Sequence, residues 1–433
     1  MCVFLFSGIN TLYSQTLITL KECYYKASEV NALSGEKAAY SEMWHLKDRI
    51  LSKSWLPTLD ATGSFIYNSS VIDIGSSLGD LPVPGIADAI KAMPHEQYKI
   101  TIDINQTIYD GGAIKNARAL EKAGRDINLK QTETDLYKLR SQINTYYFSL
   151  LLLERKKELL ENYTDLISKR IISMESALKN GVITRSDIDI LTSEKIKITQ
   201  QLNENSILKG SLLNILADLT GMEINNSTVL SLPSVPAEMN AELSRPELEL
   251  FDLRKDQLAA GLSATESRRL PKAFGFATIG YGNPPGNNFL KDEFASYFIL
   301  GASVRWNIFD WNKTKNEKQQ IILQQNIIEN RKTDMTDNLR RLLEAKYAEI
   351  SNLQSMLESD SVLIDLKKRI TASAESQYEN GTITASDLLN EMNAEKEAMI
   401  SMEIHRINLA MAKIEYLNIG GWDIEYPKQL QSP

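Results

Sequence analysis

The chain has 433 residues, of which 43% are apolar and 24% charged, with only 12 Pro and 21 Gly, proportions that exclude a disordered or collagen-like chain. A formal net charge of −8 with no dense Lys/Arg run excludes a nucleic-acid-binding face, because neutralising phosphates takes clustered cations. Cys2 and Cys23 are the only cysteines and no CxxC pair exists, so there is no thiolate zinc site and at most one disulfide.

In chain order, residues 1–14 read as the remnant of a secretory signal, an apolar run closing on the small Ser14 but lacking a basic start. Leu20-Lys-Glu-Cys23 has the outline of a lipid-attachment box, yet Glu22 stands where a small residue is needed, so Cys23 is expected to be a packing residue. A helix ends at Leu56-Pro57, since proline cannot continue it and biases its predecessor toward extended backbone. Residues 58–67 then read as a strand, and 69–97, with its Gly and Pro, as an outward loop. Residues 98–110 are a second strand: Ile100, Ile102 and Ile104 alternate with Thr101, Asp103 and Asn105, a period of two that gives one apolar and one polar face.

From 113 to 179 there is no Pro and one Gly, which predicts an uninterrupted helix on the order of 100 Å long. Leu136, Leu139, Ile143, Tyr146, Leu150 and Leu153, continued by Leu160, Tyr163, Ile167, Ile171, Met174 and Leu178, form a coiled-coil seam along it. Asn180-Gly181 allows the positive φ that ends a helix, and Thr184 or Ser186 can cap the next one, with Asp187 in its first turn. That helix runs over 186–219. Residues 220–246, with Pro233, Pro236 and Pro246, break the helical pattern as a linker.

The second half repeats the first. Asn180-Gly-Val-Ile-Thr-Arg-Ser-Asp187 recurs as Asn380-Gly-Thr-Ile-Thr-Ala-Ser-Asp387, and Ile108-Tyr-Asp110 as Ile308-Phe-Asp310, both at one offset, with Leu270-Pro271 answering Leu56-Pro57. The chain thus divides into repeat 1 over 15–219, the linker, repeat 2 over 247–420 and a tail over 421–433. Repeat 2 contains strands at 272–281 and 294–310, a loop at 282–293, a long helix over 313–379 with the seam Leu339, Leu343, Tyr347, Ile350, Leu353 and Leu357, a turn capped by Thr384 or Ser386, and a helix over 386–419.

No segment approaches the ~20 apolar residues of a membrane helix, so a bilayer could be crossed only by strands. The four strands are long enough to cross at a tilt, and Tyr98, Tyr109, Trp306, Phe309 and Trp311 lie near their ends, where an aromatic girdle sits. Four strands cannot close a barrel alone; two, three or four copies could pool them.

The doubled Gly-x-x-Thr-x-Ser-Asp turn, the Tyr-Asp-Gly-Gly112 junction and the paired Leu-Pro junctions, in this order over nearly the whole chain, resemble the TolC-like outer-membrane factor family. The resemblance implies a mainly α fold with a β-barrel portion. In a homotrimer, long antiparallel coiled-coil helices form an α-barrel continuous with a shared 12-stranded transmembrane β-barrel in outer-membrane lipid. It implies a passive exit duct that works with a periplasmic adaptor (a membrane fusion protein) and an inner-membrane transporter, in efflux or in type I protein secretion. The tips around Gly181 and Gly381, with Thr184, Ser186, Thr384 and Ser386, would meet the adaptor. Asp187 would bond Tyr378 to lock the closed tip, while Ile383 stands where the best-known members carry a reinforcing Arg. Asp387 matches one member of the family's ring of entrance carboxylates, and Asn390 replaces the next. The 220–246 segment would lie at an equatorial belt.

Chemistry is not expected. His45, His95 and His405 are far apart in sequence, and no phosphate-binding glycine loop or nucleophile elbow occurs, so neither metal, cofactor nor enzyme activity is predicted. A soluble coiled-coil scaffold would explain the helices but not the alternating segments.

Overall fold

The computed structural model describes residues 17–73, 92–181, 183–235, 242–289 and 291–424. The expected signal remnant, most of the 69–97 loop, part of the 220–246 linker and most of the tail lie outside these residues. The elements are β1 (Leu17–Ile18), α1 (Leu20–Val30), α2 (Ser34–Ser52) with a 3-10 turn at Lys53–Trp55, β2 (Thr58–Tyr67), β3 (Glu96–Tyr109), α3 (Ala113–Tyr137), α4 (Leu139–Lys179), α5 (Arg185–Thr220), β4 (Val229–Leu230), α6 (Pro246–Ser267), β5 (Lys272–Asn283), β6 (Ala295–Arg305), α7 (Lys313–Glu379) and α8 (Ala385–Gly420).

The chain forms two compact units, one from residues up to Lys37, Leu129–Leu250 and Arg331 onward, the other from Ala38–Asn128 and Phe251–Asn330. The first is helical and its core is built by the predicted seam. Ile143, Leu150, Leu213, Leu216, Ile407 and Ile414 of α4, α5 and α8 bury one another around α1, whose Cys23 lies in the same cluster. Burial pushes the Cys23 thiol up to about 12, so at neutral pH it is an un-ionised packing group. A second cluster joins Leu160, Tyr163, Ile167 and Met174 of α4 to Ile188, Leu191 and Ile198 of α5, Ala374 of α7 and Leu388 and Met392 of α8.

Three expectations need correction. The helix expected over 113–179 is two, because Lys138 leaves the ladder and Ser141 N–H bonds back to the Lys138 carbonyl three residues earlier. Beside the break, the Arg140 and Arg245 guanidiniums stand 4.4 Å and 4.6 Å from the Tyr137 ring, and the Tyr137 hydroxyl donates to the Asn418 carbonyl at 2.9 Å. The seam passes through Tyr147 and Phe148, both fully buried, rather than through the half-buried Tyr146, and Tyr347 of α7 is exposed. Tyr146 and Tyr147 lie about 100° apart on the same turn, and the one selected is Tyr147, whose hydroxyl meets the Ile18 and Ser231 carbonyls. The strand expected over 294–310 stops at Arg305, because Arg305 pairs with Lys272, the first residue of β5, and beyond it no neighbouring strand remains to bond.

The second unit holds the sheet. Its order is β2-β3-β5-β6, antiparallel throughout, with β2 and β6 as edges that have no further partner among the described residues. The parallel β1–β4 pair in the first unit is too short to leave a periodic signal in the sequence.

Candidate functional site

Register decides what the sheet can do. Leu59 faces Ile104, Ala61 faces Ile102 and Phe65 faces Tyr98 across β2–β3; Ile102 faces Ile279 and Ile104 faces Ala277 across β3–β5; and Ile279 faces Phe298 and Ala277 faces Leu300 across β5–β6. Because side chains alternate, these residues share one face, while Thr62, Thr101, Asp103, Asn105, Thr278 and Ser303 share the other. One face is an uninterrupted apolar band across all four strands. Phe298 and Leu300 on it are 80% and 79% exposed, far more than large apolar side chains tolerate in water. On the other face the Asp103 carboxylate accepts the Thr278 hydroxyl at 2.6 Å and the Thr101 hydroxyl at 2.8 Å.

Aromatic rings mark both ends of the band. At the loop end Phe65, Tyr98, Phe294 and Tyr281 form a chain, with centroids 4.9 Å, 5.9 Å and 5.9 Å apart. At the helix end stand Tyr109, Trp306, whose indole N–H donates to the Arg269 carbonyl at 3.0 Å, and the Phe309–Trp311 pair with centroids 4.9 Å apart. From Tyr98 to Tyr109 the strand rises ~36 Å, which at a tilt of ~45° spans ~26 Å, the height of an outer-membrane apolar band. Of these rings, Phe65, Tyr281 and Phe294 escaped the sequence analysis, because only pairing places them in the Tyr98 row.

Each strand-to-helix junction is held by the repeated aspartate. Asp110 accepts the Gly112 and Ile114 amides at 2.8 Å and 2.6 Å, and Asp310 accepts the Thr314 amide at 3.0 Å, so each caps the long helix that follows. The next two residues are left-handed in both repeats, Gly111 and Gly112 at φ +68° and +83° in the first, Trp311 and Asn312 at +52° and +64° in the second. A bulky residue held there bears ~1–2 kcal/mol of strain, and Trp311 does so while 84% exposed. Strain of this kind at an exposed indole marks a placement that packing does not explain.

The two turns in the helical unit repeat each other closely. Gly181 and Gly381 stand at φ +71° and +70° and end α4 and α7. The next caps are Thr184 and Thr384, not the exposed Ser186 and Ser386. The Thr184 N–H and hydroxyl donate to Asp187 Oδ2 at 2.9 Å and 2.7 Å, and those of Thr384 to Asp387 Oδ2 at 3.0 Å and 2.7 Å.

The Tyr378 hydroxyl is buried without a hydrogen-bond partner among the described residues, so Asp187 and Tyr378 are not bonded in this protomer. Burial first, and the Asp187 carboxylate second, push the hydroxyl's pKa above its ordinary value. Ile183, Ile383 and Tyr378 pack on the apolar cluster of the four helices, and Asn390 is exposed on α8.

The ties between helices near the turns are ionic. Arg170 of α4 pairs with Glu375 and Glu379 of α7 at 2.5 Å and 3.4 Å, and Lys396 of α8 pairs with the buried Glu194 of α5 at 2.9 Å while standing 4.7 Å from the Tyr163 ring. Arg170 stands in no sequence motif; its signal is a cation shortly before one turn and two carboxylates one helical turn apart shortly before the other. Among the described residues, no His, Cys, Asp and Glu cluster is placed to hold a metal ion, and no helix is long and apolar enough to cross a membrane.

The Thr384 hydroxyl first, and its amide second, hold the Asp387 carboxyl below its usual range. A depressed carboxyl stabilises the fold above its unfolded value of ~4 and loses that contribution as pH falls through the folded value. Exchange protection of the Thr384 amide, taken relative to amides in the middle of α8, is therefore expected to hold from neutrality down to about pH 4 and to fall below it. A fall already at pH ~6 would contradict the capping role.

One unit thus supplies a sheet with a bilayer-height apolar face, and the other supplies antiparallel helices that end in capped turns. Comparison with known proteins agrees: the chain is similar to the TolC-like outer-membrane channels, and residues 49–220 match the family described as outer membrane efflux protein. The fold matches the outer membrane channel CmeC of Campylobacter jejuni with a TM-score of 0.64 at 15% identity, over 94% of this chain and 87% of that one. It also matches the outer membrane protein VceC of Vibrio cholerae at 0.66 and 13%, over 94% and 97%, and the open-state MtrE outer membrane channel of Neisseria gonorrhoeae at 0.65 and 15%, over 95% and 91%. No curated protein sequence matches the chain at a significant level.

Proposed function

We propose that this protein is the outer-membrane exit duct of a tripartite efflux system. Three copies pool their four strands into a twelve-stranded barrel, with the apolar face toward lipid and the Thr101–Asp103–Thr278 face toward a water-filled lumen. The observation that carries this reading is the unbroken apolar face on a sheet with two unpaired edges: exposed backbone edges are costly in lipid, and pairing β2 of one copy with β6 of the next satisfies both. Trp311 and its aromatic neighbours anchor the helix end of the barrel at the bilayer surface, which gives the strained backbone at Trp311 its use. The capped turns at Gly181 and Gly381 form the periplasmic tip, where an adaptor docks and an inner-membrane pump drives opening. No chemical step is involved.

At that tip the Arg170–Glu375–Glu379 tie holds α4 to α7 and so keeps the tip closed. Its guanidinium is largely buried and meets two carboxylates of α7, which fixes a geometry that an isolated surface pair lacks. Purified protein in planar lipid bilayers is expected to be mostly closed, and Arg170→Ala to be open about tenfold more often, with a time-averaged conductance greater in proportion, if the tie is worth ~1.4 kcal/mol. A protein that stays monomeric in buffer without detergent and never conducts would end the duct reading, whereas equal conductance of the two would remove Arg170 from the gate alone.

A further inference from the structure

The polar face carries three large aromatic side chains, Phe274, Phe276 and Tyr297, and two of these, Tyr297 and Phe276, meet glycines of the neighbouring strand. Both lie flat across the neighbouring strand, and glycine makes that possible. Tyr297 pairs directly with Gly280, where an added Cβ would stand 2.5 Å from the Tyr297 Cζ; Phe276 pairs directly with Gly301, where it would stand 2.5 Å from the Phe276 Cζ. Gly286, in the β5–β6 connection, closes over the same tyrosine, its own Cβ position being 2.9 Å from the ring. Pro284, Pro285 and Gly286 are buried. Each ring thus occupies the volume of a missing side chain instead of projecting from the wall, an arrangement that also restores packing to strands weakened by glycine.

We propose that Gly280, Gly286 and Gly301 set the free bore of the duct by recessing Tyr297 and Phe276 into the barrel wall. This inference rests on the duct reading, in which the polar face lines the lumen. A methyl at Gly280 or Gly301 cannot coexist with the ring at its present position, so the ring must swing off the wall. In a symmetric assembly every copy swings inward at the same height, which narrows the path for bulky solutes while leaving water and small ions a route. The cargo limited in this way is defined by cross-section rather than by charge.

Cysteine placed at Ser303 tests both levels. Ser303 is on the polar face opposite Phe274, deeper from the loop end than the Gly280–Tyr297 and Phe276–Gly301 pairs. Intact cells would be treated from outside with a small cationic methanethiosulfonate and with polyethylene-glycol maleimides of rising mass, each read against the chain without the added cysteine. The expected result is that the small reagent labels Ser303→Cys equally in all backgrounds. The largest maleimide that labels the parent should react about tenfold more slowly in Gly280→Ala or Gly301→Ala. Gly280→Ala combined with Tyr297→Ala should recover the parental rate, and Gly63→Ala, on the apolar face with open space around its Cβ position, should not change it.

If the small reagent never reaches Ser303→Cys, the polar face is not the lumen and the duct reading falls with the inference. If it does, but the size limit is the same in Gly280→Ala, Gly301→Ala and the parent, the duct stands and the recessed-ring inference is overturned. Should the alanine variants fail to assemble, Tyr297→Ala alone must raise the size limit, and an unchanged limit overturns the inference equally.

Discussion

Leu300→Arg is expected to abolish assembly into the outer membrane, whereas Ser303→Arg, three residues along the same strand, leaves it intact. Leu300 pairs with Ala277, which pairs with Ile104, which pairs with Leu59, and this row lies within the apolar band, well away from both aromatic ends. A cation on the lipid face at mid-bilayer costs about 2–4 kcal/mol per copy, roughly a 30- to 1,000-fold shift in the insertion equilibrium, and a symmetric assembly bears that cost in every copy. Ser303 faces the other way, where a charge meets water. The measurement is the amount of protein recovered with outer-membrane lipid and its migration as an assembled oligomer without heating. Equal recovery of the two variants would mean that the apolar face does not meet hydrocarbon, and the case for a membrane sheet would fail with it.

The second large effect lies in the helical unit. Tyr147 is fully buried, and its hydroxyl stands 2.9 Å from the Ile18 carbonyl and 2.7 Å from the Ser231 carbonyl, so one side chain pins α4 to both strands of the small β1–β4 pair. Tyr147→Ala removes the ring and leaves those carbonyls without that donor, a loss of about 3–5 kcal/mol for the cavity with ~1 kcal/mol more for the hydrogen bond. Tyr147→Phe isolates the second contribution. Tyr146→Ala, at the half-buried neighbour, is expected to cost less than ~1 kcal/mol. Denaturant melts of detergent-purified protein, with exchange protection of β1 and β4 as the local readout, distinguish the three. Similar losses at 146 and 147 would refute the observed seam.

That pair of tyrosines shows where reading a sequence stops. A helical period places an apolar stripe to within one residue, and two adjacent tyrosines give it no means of choosing between them. The break at Lys138 carries no proline or glycine to announce it; it lies beside Tyr137, whose ring meets Arg245 from a distant stretch of chain. In the same way the end of β6 is set by where β5 begins, and nothing in residues 306–310 themselves says so.

What the sequence determined alone is everything that depends on neighbours a few residues apart. Isoleucines alternating with polar residues declare a two-faced strand, and Asn-Gly followed by Thr-x-x-Asp declares a capped turn, twice, at one offset. Each rests on a backbone preference that a short segment already possesses. What only the tertiary structure decided is which residues meet: that four apolar strand faces align as one band, that Tyr297 lies over Gly280, and that Arg170 finds Glu375 and Glu379. These partners come from different strands or helices. Strand register and helix rotation, which bring them together, are set by the summed packing of whole faces, a quantity no local pattern contains.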